Sequence, residues 1–135
     1  MPGNLVKGIS CLVDTDVAID FLRQREYAQQ LLKNRAGEGL LAISVLTYLE
    51  IYQGMKTSEE GATNTFLDGL VSIPVDISIA RQAGKMLGEL RSKGLTMGIA
   101  DAIIAATALQ MNAPLLTNNV EHYPFPELRV VRGLE

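Results

Sequence analysis

The fold class follows from the stretch ISCLVDTDVAID, residues 9–20, in which a short apolar segment runs directly into a cluster of acids. The apolar run 9–13 predicts a buried strand, and the apolar residues that resume after Asp16 predict a helix. A carboxylate at the end of a buried strand is costly unless a partner neutralises it. Asp14 therefore either caps the following helix or belongs to a site that holds a cation.

Strand-like and helical segments alternate along the rest of the chain. Further strands are predicted at 40–43, 71–75, 114–116 and 128–131, and helices at 16–24, 26–34, 45–53, 77–93 and 98–112, with Ser44 and Asp76 as caps. The polar segment 56–65 is either a loop or an exposed helix, and Pro74 restricts its strand to a sheet edge or a strand end. This alternation predicts an α/β fold with a parallel sheet and helices on both faces. Ligands of such sheets bind beyond the carboxyl ends of the strands, where Asp14 would lie.

Length and composition indicate a single domain, residues 1–135, with an aliphatic core, because 47% of the residues are apolar and only 5% are aromatic. The net charge of −3 argues against a broad electrostatic surface for nucleic acid, although it leaves room for a local site. The single cysteine, Cys11, excludes an intrachain disulfide and is typical of a reducing compartment. No segment resembles a signal peptide or a membrane span, so we expect a cytoplasmic protein.

Three acids stand where the neighbouring residues predict burial. Asp14 follows the first strand, Glu50 lies on an apolar face of the helix in SVLTYLEIY, and Asp101 opens the nearly all-apolar helix in GIADAIIAATAL. Each also has a simpler interpretation. Asp14 would be a turn or cap residue, Glu50 a side chain that reaches solvent or a base, and Asp101 an acid at the positive end of its helix. The stretches around them contain no base, so the unpaired carboxylates would repel one another and their pKa values would rise.

A divalent cation resolves this conflict, since Mg²⁺ and Mn²⁺ prefer hard oxygen ligands. His122 is the only histidine, which argues against a zinc site and against nucleophilic catalysis by a Cys–His or Ser–His pair. Metal-assisted hydrolysis is the familiar hydrolytic mechanism that remains. Setting the three acids aside raises the net charge from −3 to zero, so overall acidity is weak evidence against a nucleic-acid substrate.

Four segments in order, LVDTDVAIDFL, ISVLTYLEI, GIADAIIAATAL and LLTNNVEHYP, resemble the PIN-domain nucleases, and most closely the VapC-type toxins of toxin–antitoxin pairs. The similarity runs from about residue 9 to residue 131. It implies a three-layer α/β/α sandwich around a central, mostly parallel sheet. It also implies an Mg²⁺- or Mn²⁺-dependent endoribonuclease that hydrolyses RNA in single-stranded or loop regions, dimerises with a second copy and is held inactive by a small VapB-type antitoxin.

The resemblance implies roles for particular residues. The first three acids of the family correspond to Asp14, Glu50 and Asp101, and the fourth position, after a Thr-x pair, is Asn119. Many members carry Asp at that position, and a neutral Asn should hold a cation less tightly. A second metal is therefore an open question, and Glu121 would substitute if its loop bends inward. Residues expected to bind substrate or to support the ligands are Thr15, Asp16 and Thr117.

Two alternatives remain open at this point. The DTD triplet is similar to the Asp-x-Asp of haloacid-dehalogenase-like phosphatases, in which the first acid, here Asp14, is the nucleophile. Ser44 fits that scheme loosely, but no Lys lies in a comparable turn near Asp101, and Glu50 has no role in it. The other alternative is a catalytically degenerate PIN domain that serves as an RNA-binding or assembly module, which only Asn119 favours.

Overall fold

The computed structural model describes residues 8–133, and these residues form a five-stranded sheet with six α-helices. The strands are β1 (Ile9–Val13), β2 (Leu40–Ser44), β3 (Val71–Ile73), β4 (Leu115–Thr117) and β5 (Val130–Arg132). The helices are α1 (Thr15–Leu22), α2 (Glu26–Ala36), α3 (Val45–Gly54), α4 (Glu60–Asp68), α5 (Ile77–Ser92) and α6 (Ile99–Met111). Within this part of the chain, no helix is both long and apolar enough to cross a membrane.

The sheet is parallel throughout, with the strand order β3-β2-β1-β4-β5. From β1 the chain builds outward through β2 to β3, and it then crosses to β4 and β5 on the other side of β1. The order thus reverses beside β1, and the crevice beyond the ends of β1 and β4 is the place where such sheets bind ligands. Asp14 directly follows β1 and Thr117 ends β4, so both residues lie at this crevice. The predicted α/β class with a parallel sheet is confirmed.

Side chains alternate across the sheet and build a hydrophobic core on each face. In β1, Leu12 belongs to the core covered by α5 and α6, whereas Cys11 and Val13 belong to the core covered by α1, α2 and α4. Leu115 and Leu116 of β4 divide between the two cores in the same way. The three-layer α/β/α arrangement that the resemblance implied is therefore confirmed.

Side-chain caps at the starts of two helices fix where α3 and α5 leave the sheet. The hydroxyl of Ser44 accepts a hydrogen bond from the N–H of Leu46 (3.1 Å), and a carboxylate oxygen of Asp76 accepts one from the N–H of Ile79 (2.8 Å). Both caps were predicted from the sequence, because Ser and Asp satisfy backbone donors that a helix N-terminus leaves free. The Ser44 cap sets the start of α3, which carries Glu50.

For two segments, the structure decides between interpretations that the sequence left open. The polar segment 56–65 contains a 3₁₀ helix, Thr57–Glu59, followed by the start of α4, so its exposed-helix interpretation is correct. β3 ends at Ile73, before Pro74, and lies at the edge of the sheet. The early end follows from proline chemistry, since Pro has no N–H to donate to a neighbouring strand.

Candidate functional site

Asp14 is the buried acid of the site, with 6% of its surface exposed. Its Oδ1 accepts a hydrogen bond from the N–H of Thr15 (2.8 Å), which makes it the N-cap of α1, and its Oδ2 accepts one from the hydroxyl of Tyr123 (2.7 Å). Burial raises the pKa of Asp14, and the hydrogen bonds that it accepts offset only part of this effect. None of the ion pairs formed within residues 8–133 includes Asp14. Its negative charge is therefore not balanced by a base in this part of the chain.

Asp101 lies in the first turn of α6 and is half-buried. The hydroxyl of Tyr123 is 3.3 Å from its Oδ1, and Nδ1 of His122 is 3.3 Å from its Oδ2. One tyrosine hydroxyl thus contacts two carboxylates that come from different elements. The expectation that Asp101 would lack a base is wrong, because the segment after β4 returns to the start of α6 and brings His122 against it.

Glu50 is linked to the same region through Thr15. Its Oε1 accepts a hydrogen bond from the Thr15 hydroxyl (2.6 Å), whose oxygen also lies 3.0 Å from Oγ1 of Thr47. The expected burial of Glu50 is wrong, because α3 turns Thr47 and Ile51 toward the core and leaves Leu49 60% exposed. Glu50 is half-exposed at the boundary between these two faces, where water can reach its carboxylate.

Asp16 holds the end of β4 against α1. One of its carboxylate oxygens accepts a hydrogen bond from the N–H of Asn118 (2.8 Å), and Oγ1 of Thr117 lies 3.5 Å from both oxygens. Burial raises the pKa of Asp16, and the nearby charge of Asp14 adds to that effect. Thr117 in turn accepts a hydrogen bond from the N–H of Asn119 (3.0 Å). These contacts position the backbone that carries Asn119.

Asn119 and Glu121 lie at the rim of the site. Asn119 is half-buried and precedes a 3₁₀ helix, Val120–His122, which its side chain does not cap. The side chain of Asn119 therefore has no role in capping this helix. Glu121 is exposed and lines a cavity of about 510 Å³ together with Asp101 and His122. The metal-ligand roles of Asn119 and Glu121 stay predictions.

Two intermediate residues, Thr15 and Tyr123, connect the three predicted acids, which do not contact one another directly. Thr15 donates its backbone N–H to Asp14 and its hydroxyl to Glu50. The Tyr123 hydroxyl lies 2.7 Å from Asp14 and 3.3 Å from Asp101. No three His, Cys, Asp or Glu side chains among residues 8–133 lie close enough to hold one metal ion in this arrangement. The acids are thus gathered at one region, and their action as a shared ligand set stays a prediction.

Tyr123 is a site residue that sequence reasoning missed. It is 4% exposed and packs in the core covered by α5 and α6. Burial and the two neighbouring carboxylates raise the pKa of Tyr123 far above its usual value, so its hydroxyl remains a hydrogen-bond donor. Tyr123 follows Asn119 within the segment LLTNNVEHYP, but a single tyrosine in a loop has no periodicity that would reveal where its hydroxyl lies.

Two bases adjoin the site on the side of Glu50. Arg23 and Lys56 line a cavity of about 280 Å³ that Glu50 also lines. Arg25 and Arg35 are instead paired with neighbouring acids at 3.3 Å. Arg23 and Lys56 are therefore well placed to contact the phosphate oxygens of a ligand that approaches Glu50.

The donor set at this crevice fits a hard divalent cation. Asp14 is buried and ionisable and is not part of an ion pair within the described residues, which is the situation that a bound cation relieves. The neighbouring groups offer oxygen atoms from carboxylates and an amide, which Mg²⁺ and Mn²⁺ prefer. Glu50 and Asp101 are partly exposed, so a cation and its waters can reach the site from solvent.

Comparisons with known proteins identify what the chain is similar to. A family model described as "PIN domain" matches residues 11–128. A Mycobacterium tuberculosis protein named Ribonuclease VapC19 is 38% identical over 120 residues, which cover 87% of this chain and 96% of that protein. The crystal structure of VapBC2 from Rickettsia felis, bound to a DNA fragment from its promoter, superposes with a TM-score of 0.83 at 25% identity and 92% and 98% coverage. A toxin–antitoxin complex from Klebsiella pneumoniae gives a TM-score of 0.78 at 30% identity and 93% and 98% coverage.

Proposed function

This chain belongs to the PIN-domain family, and from that premise we propose that it is a divalent-metal-dependent endoribonuclease, the toxin of a VapBC-type toxin–antitoxin pair. The metal site is inferred chiefly from Asp14. This acid is buried, is outside the ion pairs of the described residues, and lies where the strand order of the parallel sheet reverses. The relatives named Ribonuclease VapC support RNA as the substrate. The same family match sets aside the phosphatase alternative, because that scheme belongs to a different family.

We propose Asp14, Glu50, Asp101 and Asn119 as the residues that hold Mg²⁺ or Mn²⁺. When bound, such a cation supplies Lewis-acid stabilisation of the charge that develops on the phosphate and on the leaving 3′ oxygen. Asp14 contributes a fixed charge, because hydrogen bonds hold both of its oxygens. The amide of Asn119 contributes a neutral oxygen at the rim.

The remaining polar residues position the RNA and move a proton. Glu50 is half-exposed and its carboxylate is oriented by Thr15, so it can accept the proton of the water that attacks phosphorus. Arg23 and Lys56, beside Glu50, bind phosphates of the flanking nucleotides. Thr117 and Asp16 hold the segment that carries Asn119.

We propose two protein partners. The Rickettsia felis and Klebsiella pneumoniae structures are of toxin–antitoxin complexes, which supports a VapB-type antitoxin as the partner of this chain. A homodimer is the second expectation. Leu49 is 60% exposed and Ile99 is 71% exposed, on the contacting helices α3 and α6, and large apolar side chains of this kind favour an interface between copies.

A cleavage assay tests the proposed function. We expect the purified chain to cut single-stranded RNA with Mg²⁺ or Mn²⁺, to be inactive with EDTA, and to leave DNA of the same sequence intact. The Asp14→Asn variant, purified in parallel, controls for contaminating nucleases. RNA binding with no cleavage under any metal would contradict the proposal and favour the degenerate RNA-binding module.

The neutral residue at the fourth position gives a second prediction. Asn119→Asp is expected to tighten Mn²⁺ binding by roughly tenfold, or about 1.4 kcal/mol, because an added carboxylate charge raises cation affinity at oxygen sites. Isothermal titration of Mn²⁺ into wild type and variant measures the change. Asn34→Asp, on the exposed face of α2, makes the same change away from the site and is the control. Equal affinity for wild type and Asn119→Asp would remove Asn119 from the ligand set.

A further inference from the structure

Tyr123 places a single hydroxyl between two carboxylates of the site. Its oxygen lies 2.7 Å from Oδ2 of Asp14 and 3.3 Å from Oδ1 of Asp101. The two carboxylate oxygens are therefore no farther apart than the sum of these distances. Two metal–oxygen bonds span at most about 4–5 Å for Mg²⁺ or Ca²⁺. A shift of about 1–2 Å would therefore bring oxygens at that limit within reach of one cation.

The hydroxyl approaches from the protein interior. The Tyr123 ring is 4% exposed and packs in the same buried core as Phe125 and Leu128. Asp101 and Glu50 are partly exposed, so solvent reaches the site on the side of these two carboxylates. A carboxylate oxygen has two lone pairs, and a hydrogen bond from the core leaves the other one available for a cation.

The same segment of chain holds both oxygens of Asp101. His122 contacts Oδ2 at 3.3 Å, and Tyr123, the next residue, contacts Oδ1 at 3.3 Å. Asp14 is held at both of its oxygens as well, by Thr15 and Tyr123. Among these contacts, only the Tyr123 hydroxyl connects the two acids with each other.

We propose that Tyr123 is a positioning residue for the cation site, and that its hydroxyl sets the spacing of Asp14 and Asp101 before a metal binds. Without this donor, two like charges would separate, and a cation would have to draw them together again. Hydrogen-bond partners of metal ligands typically contribute about 10- to 100-fold to metal affinity. The inference deepens the proposed function and rests on its metal site.

The Tyr123→Phe variant tests the proposal, because it removes the hydroxyl and keeps the ring that fills the core. We expect the dissociation constant for Mn²⁺, measured by electron paramagnetic resonance of free Mn²⁺ without RNA, to rise by about 10-fold or more. Tyr48→Phe is the matched control, since its hydroxyl contacts Ser72, away from the acids, and its Mn²⁺ affinity should equal that of wild type. Circular dichroism verifies that both variants are folded during the titration.

Each result has a distinct meaning. Unchanged Mn²⁺ affinity in Tyr123→Phe, with a wild type that binds Mn²⁺, overturns the positioning role and leaves the proposed metal site standing. Tighter binding in the variant also overturns it, since the hydroxyl would then be a competitor of the cation. A wild type that binds no Mn²⁺ overturns the metal site itself.

A second measurement applies if Tyr123→Phe does not fold. Wild type labelled at the tyrosine ¹³Cζ atoms is titrated with Mg²⁺, and the Tyr123 resonance is assigned by elimination from Phe variants of Tyr27, Tyr48 and Tyr52. We expect Mg²⁺ to shift the Tyr123 resonance selectively, because the charge on both of its acceptors is neutralised. A Tyr123 resonance that is unmoved at saturating Mg²⁺ overturns the proposal.

Discussion

Asp14→Asn is expected to lower RNA cleavage by at least about 100-fold, which is the upper end of what supporting residues around a metal contribute. Asp14 is proposed as a direct ligand, and Asn removes its charge while keeping its size. The hydrogen bond from the N–H of Thr15 can be retained, because Asn also has a carbonyl oxygen at that position. The loss is therefore expected in metal binding and turnover, not in folding, and metal titration with single-turnover cleavage measures both.

The same substitution is expected to stabilise the metal-free protein. The pKa of Asp14 is raised by burial, so its folded pKa lies above its unfolded value. A group of this kind contributes stability at pH values below the unfolded pKa, and that contribution is lost as pH rises through the folded pKa. Above its unfolded pKa, Asp14 therefore destabilises the fold, and at neutral pH Asn should increase the free energy of unfolding in EDTA by about 0.5–2 kcal/mol. Urea unfolding at pH 7 measures this change.

A surface control separates the site from a general charge effect. Asp68→Asn makes the same chemical change at an exposed position at the end of α4. Its cleavage rate should equal that of wild type, and its stability should stay within about 0.5 kcal/mol. If Asp14→Asn cleaves RNA as fast as Asp68→Asn, Asp14 is not a metal ligand.

The fold could be predicted from sequence because its signals are local. Each signal comes from residues that are close in sequence. Examples are the end of β1 at Val13, the caps at Ser44 and Asp76, and the apolar helix α6. Pro74 predicted an edge strand for a similarly local reason, the loss of one backbone donor. Regular alternation of such elements leaves few arrangements other than a parallel sheet with helices on both faces.

The site was only partly predictable, because its polar contacts join distant parts of the chain. Neighbouring apolar residues predicted burial of Glu50, but they could not show that α3 leaves Leu49 in solvent. The contacts of Asp101 with His122 and Tyr123 likewise depend on how the segment after β4 returns to α6. Residue types predicted which acids form the site, and that grouping as a ligand set stays a prediction. The groups that hold these acids follow from the tertiary fold.

Saturating Mn²⁺ is expected to raise the midpoint of thermal unfolding of wild type by roughly 10 °C. A ligand that binds only the folded state stabilises it by about 2.7 kcal/mol at 100 times its dissociation constant. For a chain of this length, each kcal/mol corresponds to a few degrees in the melting temperature. The physical source of the gain is Asp14, whose buried charge is not balanced by a base within residues 8–133. Differential scanning calorimetry in EDTA and in Mn²⁺ measures the shift.

Variants at Asp14 assign that shift to the site. Asp14→Asn should melt at a higher temperature than wild type in EDTA and should gain little from Mn²⁺. The difference in melting temperature between the two proteins is therefore expected to shrink or change sign when metal is added. Asp68→Asn should gain as much from Mn²⁺ as wild type does, since its carboxylate lies on the exposed surface of α4. An equal Mn²⁺ shift in all three proteins would place the bound ion elsewhere, and no shift in wild type would contradict a metal site in the folded chain. A difference in melting temperature that shrinks or changes sign is the diagnostic result, because one buried carboxylate then both destabilises the metal-free fold and binds the ion.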